Sequence, residues 1–227
     1  MINDTIRIFS LGESALTVEF GTAISEDLNK KAIALSEHFL KHPFPGFIES
    51  VPAYASATIF FDPVAVRRNF PEFETAFDAI SDMALTAIAT TQERTETLSR
   101  IVEIPVRFDL GHEFDLDFVA STNRLSTDEV LEIFTSTVYR VYMLGFLPGF
   151  SYMGEVDERI ATPRKEKPRT HVPAGSVGIA GRQTGIYSLA SPGGWQIIGR
   201  TDVEMFTPNA DLPCFLRPGD SVSFVAM

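Results

Sequence analysis

The sequence predicts an α+β chain in two parts, an α/β sandwich over residues 1–95 and a β-barrel or β-sandwich over residues 96–227. Three observations carry that reading. Before residue 95, two strand pairs are each followed by a segment of helical period. After Pro163 only short apolar runs remain, punctuated by glycine and proline. Twelve of the fifteen glycines lie beyond residue 100, so the two parts differ in backbone freedom as well as in pattern.

Taken in order, IRIFSLG (Ile6–Gly12) and ALTVEF (Ala15–Phe20) read as strands joined by a Gly-Glu-Ser turn. Ser25 then caps a helix whose first turn holds Glu26 and Asp27 and whose end holds Lys41, charges that suit the helix dipole. Leu28, Ala32, Leu35 and Phe39 form its apolar stripe, and Pro43 and Pro45 stop it. FIESVPAY and SATIFFD repeat the strand pair, and FETAFDAISDMALTAIA repeats the helix. A mostly antiparallel sheet with helices on one face follows from that order. The polar stretch TTQERTETLSR (Thr90–Arg100) is the expected linker. Beyond it IVEIPVRF alternates as a strand, and STDEVLEIFTST is a short helix with Ser126 and Glu129 at capping-box spacing. YRVYMLGF is a strand, followed by VGIAG, GIYSLA, WQIIGRT, VEMFT and SVSFVAM.

Composition excludes several roles. No apolar run approaches the roughly 18 residues of a membrane span. MINDTIRIFSLGES lacks the basic-then-apolar order of a secretory signal. The single cysteine, Cys214, allows no intrachain disulfide, so the cytoplasm is the expected address. Net charge is −11, with 7 basic and 13 acidic residues up to residue 95 and 12 and 17 after it. So acidic a chain does not suit nucleic acid, whose binding is largely phosphate neutralisation. One segment inverts the sign. Arg159, Arg164, Lys165, Lys167, Arg169 and Arg182 face only Glu166 in sequence, which marks a solvated loop or an anion site.

No G-x-x-x-x-G-K-[ST] run is present, so no P-loop is expected. His38, His42, His112 and His171 show no metal-ligand spacing with Cys214, and no metal is expected. Cys214 reads as a small hydrophobe. The densest signal is Val172–Thr201, which holds seven glycines and requires tight turns or close approach of another group. SPGGW (Ser191–Trp195) is either an anion-binding nest or a hairpin turn beside a packed Trp195. GFLPGFSYMG (Gly145–Gly154) is a stacking floor or a packed strand corner. Arg200 can clamp a carboxylate or phosphate in bidentate fashion.

YRVYMLGFLPGFSYMG, TPRKEKPRTHVPAGSVGIAGRQTGIYSLASPGGWQIIGRT and LRPGDSVSFV resemble the allophanate hydrolase subunit 1 family. LGESALTVEFG, PGFIESVPAY and the FDP after the strand extend that resemblance over the whole chain. The family includes the B subunit of 5-oxoprolinase and KipI-type inhibitors of histidine kinases. The resemblance implies a ferredoxin-like α/β sandwich followed by a cyclophilin-like β-barrel. It implies a component, inactive alone, that acts with the C and A subunits of 5-oxoprolinase to convert 5-oxo-L-proline, ATP and water into L-glutamate, ADP and phosphate. ATP is then a co-substrate of the complex, with Mg, and this chain alone holds no cofactor. The alternative it implies is a regulator that binds and inhibits a sensor histidine kinase. Family members often carry a histidine where this chain has Phe134, and no Met-Lys-Met biotin acceptor is present. The lactam chemistry places the expected substrate or anion site at Arg164, Arg169, Ser176, Gln183, Ser191, Gly193, Gly194 and Arg200.

Overall fold

A computed structural model describes residues 6–91, 100–108, 111 and 114–227. Residues 92–99 of the expected linker, and His112, lie outside the described residues. The chain divides into two compact units, Met1–Leu98 and Ser99–Met227.

In the first unit β1 (Arg7–Ser10) and β2 (Ala15–Glu19) form a hairpin, α1 (Glu26–Lys41) follows, and β3 (Phe47–Pro52) and β4 (Ser56–Phe61) form a second hairpin. The antiparallel sheet has the order β1-β2-β4-β3. Strand alternation turns Leu16 and Val18 of β2, with Phe20 just after it, and Ala57, Ile59 and Phe61 of β4 to one core. There they meet Leu28, Ala32, Leu35 and Phe39 of α1, the stripe read from sequence. Ser25 caps α1 by accepting from the Leu28 N–H, and the His42 N–H closes it on the His38 carbonyl. The short α2 (Pro63–Asn69) adds an element to the sequence reading. Asp62 accepts from Val64 and Ala65, and Pro63 occupies the first turn, where its missing N–H costs nothing. The last helix of this unit is α3 (Ala76–Thr91).

The second unit runs β5 (Ile101–Val106), α4 (Leu116–Asn123), α5 (Thr127–Ser136), β6 (Val138–Leu144), β7 (Ser151–Gly154), β8 (Arg169–Val172), β9 (Ser176–Ala180), β10 (Gln183–Ile186), β11 (Ser191–Gly193), β12 (Gln196–Arg200) and β13 (Ser221–Ala226). Seven strands form one sheet in the order β12-β9-β10-β7-β6-β13-β5, and β8 pairs with β11 in a separate ribbon. The sheet curls until its two edges meet. Arg107, just after β5, donates its N–H to the Arg200 carbonyl at 2.8 Å, and the Arg200 N–H returns to the Arg107 carbonyl at 2.9 Å. Edge closure of this kind removes unpaired strand groups. Ile104, Val141, Met153, Val177, Ile179, Ile186, Val222 and Phe224 fill the concave side. Phe134 joins them from α5, with Tyr139 at 5.1 Å and Phe224 at 5.0 Å between ring centroids. Phe134 is thus a core aromatic. No helix among the described residues is long and apolar enough to cross a membrane.

Candidate functional site

The glycine-dense block owes its composition first to its own aromatic neighbours. On the face of the sheet away from the barrel core, Gly178 of β9 and Gly185 of β10 sit opposite each other. Trp195 lies on them. A Cβ on Gly178 would come within 3.1 Å of Trp195 Cβ, and one on Gly185 within 3.2 Å of its Cζ3. A Cβ on Gly193 would collide with the Tyr187 hydroxyl. Phe150, Tyr187 and Trp195, with Val172, Ala180 and Ile197, form a second core on this face, with Tyr152 packed against it. Phe150 is the hub, edge-to-face with Tyr152 at 4.8 Å, Tyr187 at 5.2 Å and Trp195 at 5.5 Å. The Phe-rich loop before β7 is therefore both strand corner and aromatic floor.

The basic island resolves into separate parts. Arg159 pairs with Asp157, holding that carboxyl down to about 2, and Arg182 pairs with Glu155 and Glu158. Lys165 Nζ and Arg169 Nη2 both donate to Asp115 Oδ1, at 2.8 and 2.7 Å. The other oxygen of Asp115 accepts the Ile197 N–H at 2.7 Å. Burial pushes the Asp115 carboxyl up, but these donors outweigh it and hold it below the ordinary range. Arg164 has no ion-pair partner among the described residues, and its guanidinium lies over the Trp195 ring at 5.7 Å.

Of the residues expected from sequence, Arg164, Arg169, Gly193 and Gly194 come together around Trp195. Arg169 stands opposite Gly193 in the β8–β11 ribbon, and the Gly194 carbonyl accepts the Lys165 N–H at 2.7 Å. Ser191, in the same ribbon, faces Val172. Ser176 is fully buried beside Tyr187, whose N–H donates to the Ser176 carbonyl, and opposite Arg200 in β12. Arg200 Nε donates to the Ala174 carbonyl at 3.1 Å. Gln183 opens β10 at the end away from Tyr187. The structure adds Asp115, Tyr152 and Tyr187 to the cluster, which sequence reasoning misses. No local pattern marks Asp115, because it precedes a helix of eight residues and makes no side-chain cap bond. Among the described residues no group of three or more His, Cys, Asp or Glu has metal-site geometry. Cys214 is a free, half-buried thiol.

Residues 6–216 match the model for subdomains C and D of the carboxyltransferase domain, and the chain belongs to that family. It is 46% identical over 222 residues to the 5-oxoprolinase B subunit of Bacillus subtilis, covering 96% of this chain and 92% of that one. It is 41% identical over 219 residues to the 5-oxoprolinase B subunit of Escherichia coli O157:H7, covering 96% and 95%. The crystal structure of TTHA0988 superposes with a TM-score of 0.77 at 39% identity, over 94% of this chain and 39% of that longer one.

Proposed function

We propose that this chain is the B subunit of an ATP-dependent 5-oxoprolinase that opens 5-oxo-L-proline to L-glutamate. The observation that carries the reading is the identity of 46% sustained over 92% of a relative bearing that name. The reading brings the A and C subunits as partners, ATP with Mg as co-substrate of the complex, and the cytoplasm as address. It also casts the first unit as a ferredoxin-like sandwich, a reading supported by its antiparallel order β1-β2-β4-β3. The second unit is then a cyclophilin-like barrel, supported by the closing Arg107–Arg200 pair.

The chemistry fits the cations. A lactam amide resists hydrolysis, and phosphorylating its oxygen turns that oxygen into a leaving group. Fixed positive donors stabilise the charge that develops. Arg164 and Arg169, with backbone groups near Gly193 and Gly194, are the proposed donors, and Ser176, Gln183, Ser191 and Arg200 complete the proposed site. Reconstitution tests the function. The isolated chain is expected to show no 5-oxoproline-dependent ATPase activity, and mixing it with the A and C subunits is expected to restore turnover. A silent complete set that instead binds a sensor histidine kinase tightly would replace this reading with the regulatory one.

A further inference from the structure

Two of the four histidines meet at the end of α1. His38 and His42 stand one helical turn apart, which brings their side chains to the same face. The last hydrogen bond of the helix joins these two residues, the His42 N–H donating to the His38 carbonyl at 2.8 Å. Their backbones are thereby held in register. The ring centroids are 5.1 Å apart and the planes are tilted by 54°, so the rings do not stack. His38 is half-buried, with its ring edge-to-face against Phe39 at 5.4 Å, whereas His42 is exposed. Phe39 is itself fixed in the core, edge-to-face with Phe44, and so steadies the His38 ring. Burial, and His42 beside it, hold the His38 imidazole below its ordinary range, toward the neutral form that can act as a ligand.

We propose that His38 and His42 form a chelating site for a divalent transition-metal ion, copper(II) most tightly and zinc after it. An imidazole nitrogen binds such an ion at about 2.0–2.1 Å, so two rings converging on one tetrahedral ion have centroids about 5 Å apart. The observed separation of 5.1 Å meets that requirement and leaves only ring rotation to complete the site. Imidazole suits copper, nickel and zinc, whereas hard cations such as magnesium take oxygen ligands. Charge favours the site as well. The last carbonyls of a helix carry partial negative charge, and Lys41, the other basic residue of that turn, is engaged by Glu37 at 2.7 Å. The sequence reading expects no metal from the histidines taken with Cys214, but the pair needs no cysteine. Water completes the coordination, so the ion stays exchangeable. The ring spacing exists only in the folded helix, so the ion binds the native state and staples the final turn of α1. The site stands on this unit alone and does not depend on the function proposed above.

The full chain, free of any histidine tag and stripped with a chelator, is titrated calorimetrically with zinc, copper(II) and magnesium. The expected result is one saturable zinc site, copper(II) binding at least about tenfold tighter, and no response to magnesium. Zinc is also expected to raise the unfolding temperature. His42→Gln keeps the backbone N–H that closes the helix, so its metal-free unfolding temperature should match the wild type. It is expected to weaken zinc binding at least about tenfold, because the second imidazole acts at high effective concentration. His38→Gln is expected to do the same, and the exposed His42 position decides the matter should His38→Gln fail to fold. His171→Gln and Cys214→Ser remove other possible ligands and are expected to bind zinc as the wild type does. Absence of saturable zinc binding, wild-type affinity in His42→Gln, loss of binding in either control, or an equal response to magnesium would overturn the proposal.

Discussion

Asp115 draws together three donors from three stretches of chain: Lys165 before the ribbon, Arg169 in β8 and the Ile197 N–H of β12. It is 6% exposed, so its removal strands two cations and a backbone N–H at once. Asp115→Asn is expected to cost about 2 kcal/mol of unfolding free energy, the scale of hydrogen bonds to charged groups. The pH dependence follows from the depressed carboxyl. Its stabilisation is fully present above the unfolded value of about 3.9 and is lost as pH falls through the folded value. Urea titrations should therefore show a constant gap between wild type and Asp115→Asn from neutrality down to about pH 5, closing below about pH 4. A gap that widened in acid would contradict this assignment. Gly193→Ala tests the packing on the other side of the cluster. Its Cβ must displace the Tyr187 hydroxyl, so a loss of about 1–3 kcal/mol is expected, together with a shift in Trp195 emission.

At the scale of elements, α5 shows how much a local signal can say. Ser126 accepts from the Glu129 N–H, and the Glu129 carboxylate accepts the Ser126 N–H at 2.7 Å, the reciprocal box read from spacing alone. Ser126→Ala should lower stability by about 1 kcal/mol in chemical denaturation, and an unchanged midpoint would show that the cap contributes nothing. The short helices α2 and α4 are not legible in sequence. Seven or eight residues give too few turns for a 3.6 period to show, and α4 starts at Asp115 without a side-chain cap bond. The SPGGW stretch is ambiguous for a related reason. Glycines that open a turn and glycines that make room for an indole look alike until the partner is known.

For the whole molecule, the two cores are drawn from separate stretches of chain. The first cluster uses residues from Ile6 to Ile88, and the barrel core uses residues from Val102 to Phe224. Each unit thus holds the apolar surface that an independent fold needs. We expect a fragment spanning residues 99–227 to unfold cooperatively on its own, with near-native tryptophan emission. A fragment without a cooperative transition would show that the barrel depends on the N-terminal unit. Limited trypsin digestion of the intact chain is expected to cut first at Arg94 or Arg100, in the charged stretch between the two cores.

Residue patterns alone determined the strand–strand–helix repeat, the α1 stripe, the α5 cap, the β-rich second half and the position of the basic island. These depend on neighbours a few residues apart, so periodicity and capping chemistry record them. Only the tertiary structure decided which cations remain available. Asp115 lies 50 residues from Lys165 and 54 from Arg169, and no local pattern could show that it claims both. The same holds for Trp195 over Gly178 and Gly185, and for the meeting of Arg107 with Arg200, 93 residues later, that closes the barrel. Long-range pairings are set by the packing of the whole sheet, and a one-dimensional pattern carries no record of them.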